Sequence, residues 1–176
     1  SRKKEVVLER KHGETVLIVR NAKIDNIWIN VALAIATLIT TMLVGAMMYG
    51  VDIIKDPQLS YMGLPFALAI MTVLGSHELG HYFVSRKNGI DATLPYFIPF
   101  PIPPIGTMGA IIRQKGPVPS RKALFDVGIS GPLVGLTVAI IITVIGLMLP
   151  APVITAQPGD ATYFQLQTPL LFDFLA

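Results

Sequence analysis

The chain has 176 residues and a formal net charge of +3; 52% of its residues are hydrophobic and only 14% are charged, where a soluble domain is about a quarter charged. With a mean hydropathy of +0.62, this composition excludes an ordinary soluble globule and points to an all-α, multi-span membrane protein. The absence of cysteine excludes disulfides, iron–sulfur clusters and thiol catalysis.

Residues 1–25 form a polar, basic arm. Val6-Val7-Leu8 and Val16-Leu17-Ile18-Val19 are β-rich runs separated by Lys11-His12-Gly13-Glu14, which predicts an N-terminal β-hairpin with a glycine in its turn. His12 is expected to be solvated there. The arm borders a membrane helix, so its lysines and arginines are read as setting topology and touching anionic lipid, not nucleic acid.

Residues 26–176 are expected to form the membrane core. Ile27 to Met48 carries no charge, and at helical rise it is long enough to cross a bilayer core. Trp28 and Tyr49 mark its two ends, so the first span is placed at about 27–49. Thr37, Thr40 and Thr41 are expected to bond back to their own helix. Residues 50–63, with Asp52, Lys55, Asp56 and Pro57, read as an aqueous connection.

The second span is predicted over about 64–88. Pro65 stands in the first turn, where it is tolerated, and Asn88-Gly89 supplies a C-cap. Within it, residues 77–81 read HELGH. On a helix, His77 and His81 lie one turn apart on the same face, so both rings can reach one metal ion. Glu78 points close by and can take a proton from an attacking water. Ionisable residues this deep in a membrane helix are a functional-site hypothesis by default.

Residues 91–120 are unusual. Leu94 to Ile105 is almost wholly apolar, yet its prolines forbid a continuous helix. Irregular backbone at membrane depth is tolerated only where protein or a watery cavity satisfies it, so a re-entrant, β-containing segment is expected. Gly106, Thr107, Met108, Gly109, Ala110, Ile111 and Ile112 read as a short strand whose glycines permit close approach. Such a strand could hold an unwound substrate by β-strand addition.

The third span is predicted over about 122–149. Gly131 and Gly135 have GxxxG spacing for close helix packing, Gly128 is expected to extend that small face, and Pro132 is expected to kink it. Residues 150–168 read as a second aqueous loop, and 169–176 as the start of a fourth span. The chain begins at Ser1 and ends inside that last segment, so a fragment of a longer protein is expected.

With three spans, the arm and the stretch from Arg86 to Lys122 share one side. That side holds every lysine and arginine except Lys55, which places the N-terminus in the cytoplasm. The HELGH face then lies within the bilayer, roughly 8–15 Å from its cytoplasmic surface at helical rise.

Three stretches in this order, HELGH late in a span, an apolar proline-rich segment with GTMGAIIR, and RKALFDVGISGPLVG opening the next span, resemble the site-2 protease family, most nearly its archaeal and plastid branch. The resemblance covers about Leu64 to Leu149. It implies an intramembrane zinc metalloprotease that hydrolyses peptide bonds within transmembrane segments of membrane-protein substrates. It further implies His77 and His81 as ligands of Zn2+, Glu78 as catalytic base, residues 106–112 as the substrate-facing segment, and Gly131-Pro132 with Gly135 as a packing motif.

The family's third zinc ligand is an aspartate of a later span, in an Asn-Pro…Asp-Gly type motif absent from these 176 residues. The third ligand is therefore expected beyond Ala176, with Asp126 the less favoured candidate, and the fragment alone is expected to be inactive. The alternative reading is a catalytically inactive, chaperone-like protein of the same fold. A metal carrier fits less well, because the spans offer few further ligands along a path.

Overall fold

The computed structural model describes residues 26–115 and 117–149 in full, and the backbone alone of strands β1 (Lys4–Lys11) and β2 (Glu14–Asn21), which pair antiparallel. The turn expected at His12-Gly13, the 150–168 loop and the start of a fourth span at 169–176 lie outside the described residues.

Among the described residues, three α-helices are long and apolar enough to cross a membrane. Helix α1 spans Ile27–Met48, and Asn26 caps it by accepting from the Trp28 N–H at 3.1 Å. Helix α3 spans Arg121–Met148, capped by Ser120, whose hydroxyl accepts from the Ala123 N–H at 3.1 Å. Helix α2 spans Leu64–Lys87. Its end is the one its sequence signals: Asn88 caps, Gly89 adopts φ +74°, and Ile90 N–H donates back to Ser85 O at 2.9 Å, a left-handed glycine stop. The connection at 50–63 differs in its second half. Pro57–Gly63 is a 3-10 helix that runs straight into α2, because Pro57 presets φ and the Ser60 hydroxyl closes on Pro57 O at 2.7 Å.

The segment from Asp91 to Lys115 is a bent antiparallel ribbon. Strand β3 (Asp91–Ala92) pairs with β6 (Gln114–Lys115), and β4 (Tyr96–Pro99) pairs with β5 (Thr107–Ile111). Gly106 and Ile112 flank β5. Two bulges bend the ribbon. Asp91 pairs with Lys115, Thr93 N–H reaches Arg113 O, and Tyr96 pairs with Ile111, so Leu94 and Pro95 together oppose the single residue Ile112. On the other arm, Met108 and Gly109 oppose Ile98 alone, and Gly109 takes φ +103°, where only glycine is unstrained.

The outside of the bundle is apolar: Leu68, Phe83, Phe125 and Leu136 are all more than half exposed. The inside is built from small and weakly polar residues such as Thr37, Thr41, Ala46, Ala67, Gly80, Ser85, Ser130 and Gly131. That inversion suits a lipid solvent, in which packing of small residues holds helices together. Helix α2 lies between α1 and α3, with its most extensive packing on α3.

Candidate metal and peptidase site

Helix α2 carries His77 and His81 one turn apart on the side that meets α3. Their ring centroids are 4.8 Å apart at an interplanar angle of 76°, and their Nε2 atoms are 3.2 Å apart. The Nδ1 of His81 lies 2.7 Å from the Val127 carbonyl on α3. A carbonyl only accepts, so Nδ1 carries the proton and Nε2 keeps its lone pair. Two imidazoles bound tetrahedrally to zinc at ~2.0–2.1 Å place their nitrogens about 3.3–3.4 Å apart. The observed separation fits that donor set, and both rings are half-buried.

Glycines on the facing helices make room for these rings. A Cβ built on Gly131 overlaps Nε2 and Cδ2 of His81 and stands 2.6 Å from its Cε1. A Cβ on Gly135 meets Cβ and Nδ1 of His77, each at 3.1 Å. From the other side, a Cβ on Gly80 comes within 2.8 Å of Ser130 O. Gly131 and Gly135 therefore pair in register with His81 and His77, one helical turn matching one helical turn. Gly128, expected on the same small face, instead has open space around it: it lies one turn before Pro132, rotated away from α2.

Glu78, also half-buried, is carried by the same helix, which packs against β3 and β5 of the ribbon. The ribbon reaches α2 again at Gly75, whose missing side chain leaves the Phe97 ring within 3.6 Å of a built Cβ. β5 has β4 on one edge and no strand on its other edge among the described residues. The strand within residues 106–112 thus packs against the helix that carries HELGH, while Gly106 itself lies against Thr40 and Thr41 of α1.

Two features escaped the motif reading. Asn30 of α1, 7% exposed, donates from Nδ2 to both Leu94 O (3.0 Å) and Pro95 O (2.8 Å). The hint was available, since Asn30 is the one side-chain amide in an otherwise uncharged span. Thr40 was expected to bond only to its own helix. It does reach Thr37 O at 3.1 Å, but it also donates to Gly106 O at 2.8 Å. Among the described residues no set of three His, Cys, Asp or Glu side chains could hold a metal ion, and half-buried Asp126 does not join the histidines to make one.

Residues 65–175 match the family model for Peptidase family M50. The chain is 41% identical over 99 residues to the chloroplastic protein of Arabidopsis thaliana named zinc metalloprotease EGY2, a match covering 56% of this chain and 16% of that protein. It is 33% identical over 87 residues to rice zinc metalloprotease EGY1, also chloroplastic, covering 49% and 14%. It is 30% identical over 119 residues to zinc metalloprotease sll0528 of the cyanobacterium Synechocystis, covering 64% and 28%. The chain therefore spans 14–28% of the length of these relatives. No solved structure matches it.

Proposed function

The chain belongs to peptidase family M50, and from that premise we propose that it carries the metal-binding and proton-transfer face of an intramembrane zinc metalloprotease acting on transmembrane segments of other membrane proteins. The observation that carries this reading is the facing pair of Nε2 atoms, 3.2 Å apart, on a helix apolar enough to cross a bilayer.

His77 and His81 are the residues that would hold Zn2+, with His81 oriented by Val127 O. Bound zinc supplies Lewis-acid activation of water and of the scissile carbonyl. Glu78 accepts the proton of the attacking water and returns it to the leaving amine. The third ligand is placed outside the described residues, and Asp126 is the lesser candidate.

The substrate reaches Glu78 as an extended segment paired along the open edge of β5, over residues 106–112. Thr40 holds the ribbon's tip and Asn30 its bulge, ten residues apart on α1 or about 15 Å at helical rise. That spacing supports a ribbon dipping into the bilayer. The side holding the N-terminal arm and the 86–122 stretch is assigned to the cytoplasm on the lysine and arginine count. Glu78 lies nine residues before Lys87, about 14 Å from that end of α2. A transmembrane substrate and the surrounding lipid are the partners this reading requires.

A catalytically inactive relative is the second reading, favoured by the lack of a three-ligand group among the described residues. The full-length protein separates the two. Glu78→Gln is expected to keep its zinc and lose about 10²–10⁴ in turnover, while His77→Ala and His81→Ala lose the metal. Full turnover by Glu78→Gln overturns the mechanism. A zinc-free wild-type protein without turnover establishes the second reading.

A further inference from the structure

The bulge at Leu94-Pro95 is joined on its two sides to two different helices. On one side its two carbonyls are taken by the single amide nitrogen of Asn30, at 3.0 and 2.8 Å. On the other stands Ile112, the lone residue opposite the bulge and the first residue after β5, the strand that packs on α2. Pro95 has no N–H to offer the ladder, and two residues opposing one cannot keep regular pairing. Without a donor at position 30, the Leu94 and Pro95 carbonyls would lose these partners in a part-buried setting, and the ribbon would shift to satisfy them.

We infer that Asn30 is a positioning residue for peptide hydrolysis: by gripping the bulge from α1 it sets the height of the substrate-bearing strand against helix α2, which carries Glu78. The inference rests on the peptidase reading of Glu78. Asn30 touches neither metal nor substrate; it acts through the ribbon.

The test uses full-length protein and a transmembrane substrate. Asn30→Leu keeps the approximate size of the side chain, removes the donor and suits a lipid-facing helix. It is expected to lower kcat by about 10–100-fold, the effect of misplacing a reacting group by about 1 Å, with KM changed by less than about threefold. Zinc content and melting temperature stay at the wild-type level. Asn30→Gln retains both N–H donors and is expected to recover most of the lost kcat. Wild-type kcat in Asn30→Leu overturns the inference, as does an Asn30→Gln protein as slow as Asn30→Leu. Should Asn30→Leu fail to accumulate, Asn30→Asp keeps the shape without the donor and is judged by the same criteria. Glu78→Gln run alongside keeps the two claims apart: an active Glu78→Gln protein removes the peptidase reading, whereas an inactive one beside a fully active Asn30→Leu removes only the role of Asn30.

Discussion

Replacing Gly131 by alanine adds one methyl group at the point where α3 faces the His81 ring. The new Cβ overlaps Nε2 and Cδ2 and stands 2.6 Å from Cε1. An ordinary carbon–carbon contact is about 3.5–4.0 Å, so the ring must retreat by about 1 Å or the helices must part. Neither is easy. The ring is tethered through Nδ1 to Val127 O at 2.7 Å, and the helices already touch at Gly80, where a Cβ would come within 2.8 Å of Ser130 O. Overpacking of this kind costs about 1–3 kcal/mol in stability. Metal sites tolerate shifts of only about 0.2 Å in ligand distance, so Gly131→Ala is expected to weaken zinc binding by at least the ~10–100-fold typical of lost outer-shell support. Gly135→Ala, whose Cβ meets His77 atoms at 3.1 Å, asks for a shift of only a few tenths of an ångström and is expected to be milder. Gly128→Ala, with nothing within 4 Å, is expected to leave zinc binding unchanged. Chelator competition on the three purified full-length variants measures the series. Wild-type affinity in Gly131→Ala, or a loss in Gly128→Ala as large as that in Gly131→Ala, would refute the claim that these glycines are spaced to seat the histidines.

The chain has no cysteine, so single cysteines report topology cleanly. Cysteine at Lys4 or Lys115 is expected to be labelled from the cytoplasmic side alone and at Gln157 from the opposite side alone; the reverse pattern inverts the orientation. Ala110→Pro removes a backbone N–H from β5 and is expected to impair substrate processing more than zinc content, so equal losses of both would point to simple misfolding. Cleavage is expected in the half of the substrate span nearer the α1 N-terminus, because Glu78 lies toward that end of α2. Mass spectrometry of the products locates the cut, and cuts in the far half would exclude the proposed approach along β5.

The helices were legible because each follows from local rules. An uncharged run set α1, the Asn88-Gly89 stop set the end of α2, and the apolar run after Lys122 set α3. The Gly131/Gly135 face was legible as packing, but its partner was not, since GxxxG spacing does not say what lies opposite. Gly128 shows the limit of that pattern: spacing alone put it on the small face, while the structure turns it outward. Strand β4 was hidden by two prolines, Pro95 just before it and Pro99 as its last residue, which read as breakers. Its place is fixed by long-range bonds from Asn30 and by the Thr107 hydroxyl donating to Ile98 O at 2.8 Å, none of which a local pattern can register. The 3-10 helix at Pro57–Gly63 was missed for a similar reason: polar composition suggests a connection without saying whether its backbone coils.

A polar site inside an apolar bundle raises the question of how its backbone is kept satisfied. The helices divide that task. Helix α2 supplies the reactive side chains and little else. Helix α3 supplies absence, two glycines that leave room for two rings, and one carbonyl that fixes the His81 tautomer. Helix α1 supplies donors: Asn30 for the bulge, Thr40 for Gly106 O at the ribbon's tip. The ribbon is non-helical backbone packed against α2, and its irregular points, the bulge and the tip, are where α1 places Asn30 and Thr40. This matches the rule that irregular backbone survives at membrane depth only when protein satisfies it. It also accounts for Asn30 and Thr40 in a span that carries no charge. An open strand edge held this way is available to a substrate without being a general liability, because its other edge and both its ends are already committed.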